Sequence, residues 1–82
     1  MLEKINEQIE VLVAFMLDRV IPLSFSWKNK KYSVDKVNLV NSEKVGQTKL
    51  FIYSVSSGND YFKLCFNTNS NNWSLIEAYY AE

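Results

Sequence analysis

The sequence predicts an all-β fold of about six antiparallel strands, a meander closing into a small barrel or a strongly bent sheet. Three observations carry this expectation. Apolar and polar residues alternate through Pro22 to Val40, as on a strand with one buried face. Valine, isoleucine, phenylalanine, tyrosine and tryptophan, which fit a pleated, half-buried surface, fill the other apolar stretches. Turn-forming residues, Asn29, Gly58 with Asn59, and the run Asn67 to Asn72, divide these stretches at short intervals.

The first element is the ambiguous one. Leu2, Ile5, Ile9, Leu12, Met16 and Val20 follow helical spacing, with Glu3, Lys4, Asn6, Glu7 and Gln8 between them. Val11 to Leu17, however, is apolar on every side and leads into Asp18 and Arg19, a turn into the next strand. The expectation is an N-terminal arm or short helical turn over residues 1–8, then a β domain over 9–80 opening with a strand from Ile9 to Leu17. The whole of 1–82 is taken as one small domain.

Next comes a long hairpin. Leu23, Phe25 and Trp27 share one face of the incoming strand, and Asn29 turns the chain. Tyr32 and Val34 continue the pattern on the return strand, which then slips phase at Asp35 and Lys36 and resumes at Val37 and Leu39. A β-bulge at Asp35 and Lys36 would keep Val34 and Val37 facing one core. Asn41 to Thr48 is predicted to be a looser connection. Strands follow over Lys49 to Ser56, Tyr61 to Phe66 and Trp73 to Tyr80.

Apolar residues make up 48% of the 82 residues and aromatics 15%, enough to exclude a disordered chain. Nine basic and nine acidic residues cancel, which argues against a strongly basic nucleic-acid binder. The charge is uneven, though: residues 27 to 49 carry six lysines against Asp35 and Glu43. Cys65 is the single cysteine, so no internal disulfide forms, and the acidic start lacks the pattern of an export signal. The longest apolar run, Val11 to Leu17, is far below the roughly 20 residues of a membrane helix. Together these predict a cytoplasmic protein with no membrane partner.

The run Pro22, Phe25, Trp27, Tyr32 and Val34, followed by Tyr53, Val55, Leu64, Phe66, Trp73 and Leu75, resembles a small bacterial all-β domain family of unknown function. The likeness spans about Ile9 to Tyr80. Some members of that family are encoded beside translesion DNA polymerases, which implies an association with DNA repair. The family's glycine and arginine in the first hairpin are replaced here by Asn29, Lys30 and Lys31. Lysine does not reproduce arginine's planar fork, so a contact made there by the arginine does not carry over.

No catalytic or metal site is predicted. Histidine, the commonest general base and zinc ligand, does not occur. Cys65 lies between Leu64 and Phe66, with no base beside it in sequence. Gly46 and Gly58 are too few and too far apart for a phosphate loop. Asp18, Asp35 and Glu77 show no spacing that selects an acid and base pair. The expectation is a non-enzymatic binding or assembly module without a cofactor, which pairs with an unknown protein or with itself as a homodimer. Leu50, Ile52, Tyr61 and Cys65 are the candidate interface, because a core-facing Phe51, Tyr53 and Val55 would turn them outward. The alternative is weak single-strand nucleic-acid binding through Lys28, Lys30, Lys31 and Lys36, interleaved with Trp27 and Tyr32. Lysines at a hairpin tip serve equally well as a solvated edge.

Overall fold

The structure is a computed structural model and describes residues 1–80; Ala81 and Glu82 lie outside the described residues. It is all-β. Seven strands run antiparallel: β1 (Leu2–Phe15), β2 (Val20–Trp27), β3 (Lys30–Ser33), β4 (Lys36–Val45), β5 (Thr48–Ser57), β6 (Asp60–Asn67) and β7 (Asn72–Tyr79). Their order in the sheet is β3-β2-β1-β7-β6-β5-β4.

Every neighbouring pair in the chain forms a hairpin except β3 and β4. The first and last strands pair instead, Leu2 opposite Tyr79 through Ile9 opposite Trp73. The expected meander is therefore joined end to end but open at one seam, and the predicted barrel does not close. The seam follows from a change of partner. The Val34 N–H donates to the Leu23 carbonyl of β2 at 2.9 Å, and the next residue's N–H, Asp35, donates to the Ser56 carbonyl of β5 at 2.8 Å. One run of chain thus leaves β2 and joins β5 within two residues. This makes two strands of the expected single return strand, so seven form instead of six. The phase slip is real, since Val34 and Val37 both pack against the core. Its cause is the change of partner, and the ladder bulge lies further on, at Asn38.

Three other expectations are corrected. Residues 2–8 are strand, and no helix occurs among the described residues. Ile5 and Ile9 lie four apart, an even number, so their spacing serves a strand as well as a helix. Asn6, with φ of 55°, sits in a bulge where β1 shifts register against β7. The connection Asn41 to Thr48 is mostly strand, β4 running to Val45 and turning through Gly46 and Gln47 alone. Gly46, like Gly58 in the β5–β6 turn, has a positive φ near 60° at the first turn position, where a side chain would be strained. Leu23 faces solvent, because β2 bulges there and leaves Pro22 and Ser24 buried on either side.

The β2–β3 turn needs left-handed backbone at both central positions, Lys28 with φ of 52° and Asn29 with φ of 61°. The twist of such turns matches that of the flanking strands, which favours the hairpin despite the unusual lysine. Asn67 shapes the β6–β7 loop, its side-chain oxygen accepting the N–H groups of Asn69 and Ser70.

The core lies between the short ladder (β2, β3 and the second half of β1) and the long one. Phe25 stacks on Tyr32 with ring centres 5.1 Å apart and meets Phe62 edge-on at the same distance. Val55, Leu64, Leu75 and Ala78 fill the centre and are fully buried. Aromatic pairs of this kind contribute about 0.5–1.5 kcal/mol beyond the area they bury. The buried indole N–H of Trp27 has no acceptor among the described residues.

The change of partner is pinned by side chains. The Asp35 carboxylate accepts the Gly58 N–H at 2.7 Å, and the Asn38 side-chain amide donates to the Ser56 hydroxyl at 2.7 Å. Replacing Asp35 by alanine is expected to lower stability by about 1 kcal/mol, the loss of one exposed hydrogen bond to a charged acceptor. Asp35→Asn, which keeps an acceptor oxygen, is expected to lose less. Urea denaturation followed by tryptophan fluorescence measures both, and equal stabilities for Asp35→Ala and the parent would contradict the pinning role.

Candidate functional site: the open seam between β2 and β4

Because β3 ends at Ser33, β2 has no strand partner on its outer side from Val20 to Pro22. β4 diverges from it toward β5, and its other edge is likewise unpaired among the described residues. Between these two edges lies a cleft of about 710 Å³. Val20 and Ile21 form one wall together with Phe15 and Met16 of the β1–β2 tip, and Val37 to Val40 form the other. Phe51, Tyr53 and Phe66 make the floor. A volume of this size lies within the range of ligand sites, and here the lining is mainly apolar.

The floor is rigid. Phe66 stacks on Trp73 with ring centres 4.9 Å apart, and Tyr53 packs on the same indole at 5.3 Å. The Tyr53 hydroxyl donates to the Val20 carbonyl at 2.8 Å, tying β5 to the start of β2 across the base of the cleft. Burial pushes the Tyr53 phenol above its ordinary value of 10.0. The folded state thus favours the neutral phenol, and stability from this group is complete below pH 10 and lost as pH rises through the raised value.

The rim is equally apolar. Phe15 is 76% exposed and Leu17 is 108% exposed, its side chain meeting nothing of its own chain, while Leu39 and Val40 stand exposed on the opposite wall. Asp18 and Arg19, 3.7 Å apart, are the charged residues at the tip. Apolar patches of this kind on a small domain mark a place where something docks.

The residues singled out from the sequence lie elsewhere. Ile52 and Cys65 are direct cross-strand partners and Leu50 follows on the same face, but Ile52 is only 9% exposed, closed in by its neighbours on the sheet. Tyr61 is separated from them by the Lys63 to Glu77 ion pair, at 3.3 Å, and leans on Tyr79. The Cys65 thiol is pushed up from 9.0 by burial and then by the Glu43 charge.

The lysines divide between the two ladders. Lys28 lies over the Trp27 ring at 4.7 Å and Lys30 over the Tyr32 ring at 5.1 Å. Lys31 sits opposite Ser26 in the same hairpin, whereas Lys36 begins β4 opposite Ser56 in the long ladder. Trp27 is buried at 6% exposure and Tyr32 is half-buried and stacked on Phe25, so each ring is held between the core and its lysine.

The seam itself was not singled out from the sequence. The signals for it were the three consecutive apolar residues Phe15, Met16 and Leu17 beside a turn, and the apolar pair Leu39 and Val40, which cannot both face one core.

No protein-family model, no curated protein and no solved structure matches this chain. No helix among the described residues is long and apolar enough to cross a membrane.

Tyr53→Phe is expected to lower stability at neutral pH by about 1 kcal/mol, the value of one hydrogen bond. It should also reduce the fall in stability above pH 10, because one buried phenol no longer ionises. Thermal unfolding of parent and variant at pH 7 and pH 11 checks both effects, and an unchanged alkaline loss would contradict the placement of this hydroxyl.

Proposed function

We propose that this chain is a non-catalytic protein-binding module that takes an apolar segment of another polypeptide into the seam between β2 and β4. The observation that carries the reading is the meeting of two unpaired strand edges with a rigid aromatic floor in one opening. The free edge of β4 offers a row of backbone N–H and C=O groups to an extended segment, whereas on β2 the Val20 carbonyl is taken by Tyr53 and Pro22 has no N–H; pockets beside the edge select the alternate side chains. Apolar side chains on one face of such a segment would lie over Phe51, Tyr53 and Phe66.

The chemistry of the opening favours a polypeptide over a nucleic acid. The charged residues that line the cleft, Asp18 and Arg19, pair with each other at 3.7 Å and leave no net positive charge to neutralise phosphates. At the lysine hairpin, the rings that would stack on bases are engaged in the core. A cytoplasmic setting, supported by the lone Cys65, and membership of the bacterial family that the apolar spacing resembles are parts of the same proposal.

Panning a library of eight-residue peptides against the chain, followed by titration monitored through tryptophan fluorescence, tests the reading. The selected peptides are expected to alternate apolar and polar residues and to perturb Trp73, which lies under Phe66. Val40→Lys, a change at an exposed rim position, should weaken their binding by about ten-fold or more, the scale of a lost interface anchor. Peptides that bind the Val40→Lys variant as tightly as the parent would place the binding elsewhere.

A further inference from the structure

We propose that the segment taken up at the seam carries an acidic side chain, which stands opposite Lys44 while apolar side chains two and four residues away lie over Phe51 and Tyr53. The inference rests on the protein-binding reading above and adds the partner's charge and its register on β4.

The inner face of the β4–β5 ladder changes character along its length. Val40 lies opposite Tyr53, Ser42 opposite Phe51 and Lys44 opposite Lys49. Alternate residues of a strand share a face, so these three pairs continue one another. The Lys49 ammonium lies over the Phe51 ring at 5.0 Å, which fixes it on the side of the cleft floor. The apolar floor therefore leads to two lysines standing side by side, in a depression of about 450 Å³ lined by Ser42, Glu43, Lys44, Gln47 and Lys49.

Like charges directly opposite each other repel. No acidic side chain among the described residues pairs with either lysine. Glu43 is the nearest in sequence, but it lies opposite Leu50 on the alternate face, where its charge adds to the burial that pushes up the Cys65 thiol. Both lysines are exposed, and Lys44 borders the free edge of β4. A segment added to that edge places one side chain beside Lys44 on the inner face, and its next two on that face beside Ser42 and Val40. An acidic side chain at the first of these positions relieves the repulsion, and apolar ones at the other two cover the floor. A terminal carboxylate would lie in the plane of the sheet with the backbone, whereas the lysine side chains rise from its face. The charge therefore belongs to a side chain within the segment.

Panning tests this with a library of C-terminally amidated eight-residue peptides, apolar at two alternate positions and random elsewhere. The targets are the parent, the double variant Lys44→Gln, Lys49→Gln, and Lys44→Glu. All the substituted side chains are exposed, and near-ultraviolet circular dichroism verifies that each variant keeps the parent's fold. The parent is expected to select aspartate or glutamate two residues from the apolar pair, and the double variant to lose that preference. Titration of the selected peptides should show about five-fold weaker binding to the double variant at low salt, and a smaller difference at high salt. Lys44→Glu should select lysine or arginine at the same position. Peptides without an acidic residue that bind parent and double variant equally, yet are weakened by Val40→Lys, overturn the acidic register and leave the protein-binding reading standing. If no peptide binds the parent, both fail. Binding that appears only when the library carries free C-terminal carboxylates also overturns the register. So does a ten-nucleotide oligothymidylate that the parent binds and the double variant does not, where acidic peptides fail to compete, because the lysines then serve phosphates.

Discussion

The structure depends on one change of hydrogen-bond partner. At Val34 the chain still belongs to β2, and at Asp35 it already belongs to β5. A strand offers each neighbour one edge, so continuing along β2 would have left β5 without its partner and exposed a ten-residue edge on the sheet's other side. By switching, the chain satisfies β5 through nine paired positions, from Lys36 opposite Ser56 to Val45 opposite Thr48. The unpaired length is transferred to the outer edge of β4 and to the first residues of β2. The carboxylate of Asp35 holds the switch against the turn after β5, and the amide of Asn38 holds it against Ser56 near the end of β5.

The seam is the consequence. An up-and-down ring removes its edges by pairing first and last strands, and β1 does pair with β7. The ring opens instead where the chain itself crosses from one ladder to the other. Near the crossing the interior is sealed by Phe25, Tyr32 and Phe62, whose rings meet within about 5 Å of one another. Away from it the walls part, and Phe51, Tyr53 and Phe66 become a floor. The same aromatic residues that stabilise a small core thus create an apolar surface wherever the sheet stops short of covering them. Phe66 stacks on Trp73, and Tyr53 packs tilted against the same indole and hydrogen-bonds the Val20 carbonyl, so two of the three floor rings are held in place by their neighbours.

The strand content was legible in the sequence because alternation survives wherever a strand has one buried face. Phe25 and Trp27, Tyr53 and Val55, Phe62 and Leu64, and Trp73 and Leu75 all point inward as their spacing requires. What failed was the reading of segments without a buried face. Asn41 to Lys44 looked like a loop because all four are polar, yet they are strand, exposed on both sides and held by backbone bonds to β5. Leu23 and Ile76 broke the pattern at bulges, where one residue more on one strand inverts the faces. The phase slip at Asp35 and Lys36 was visible as a local irregularity, but a slip within a ladder and a move between ladders leave the same trace in sequence. The pairing of β1 with β7 has no local signal, and without it the position of the opening could not be inferred. Leu50, Ile52 and Cys65 share one face of β5 and β6, where Ile52 is buried while Leu50 and Cys65 are half-buried, a difference set by neighbouring strands that alternation does not show.

The central claim is that the ring is open where β2 and β3 face β4, and that all other neighbouring strands pair. Interstrand backbone nuclear Overhauser effects test it most directly. The account predicts cross-peaks along the whole of β4 with β5, and between β1 and β7 from Leu2 to Ile9, with none within one chain joining Val20 to Pro22 with Leu39 to Asn41. Isotope-filtered spectra of a mixed labelled and unlabelled sample separate peaks within a chain from those between chains. Intrachain cross-peaks between Val20 or Ile21 and Leu39 or Val40 would show a closed barrel, and would contradict both the seam and every function assigned to it.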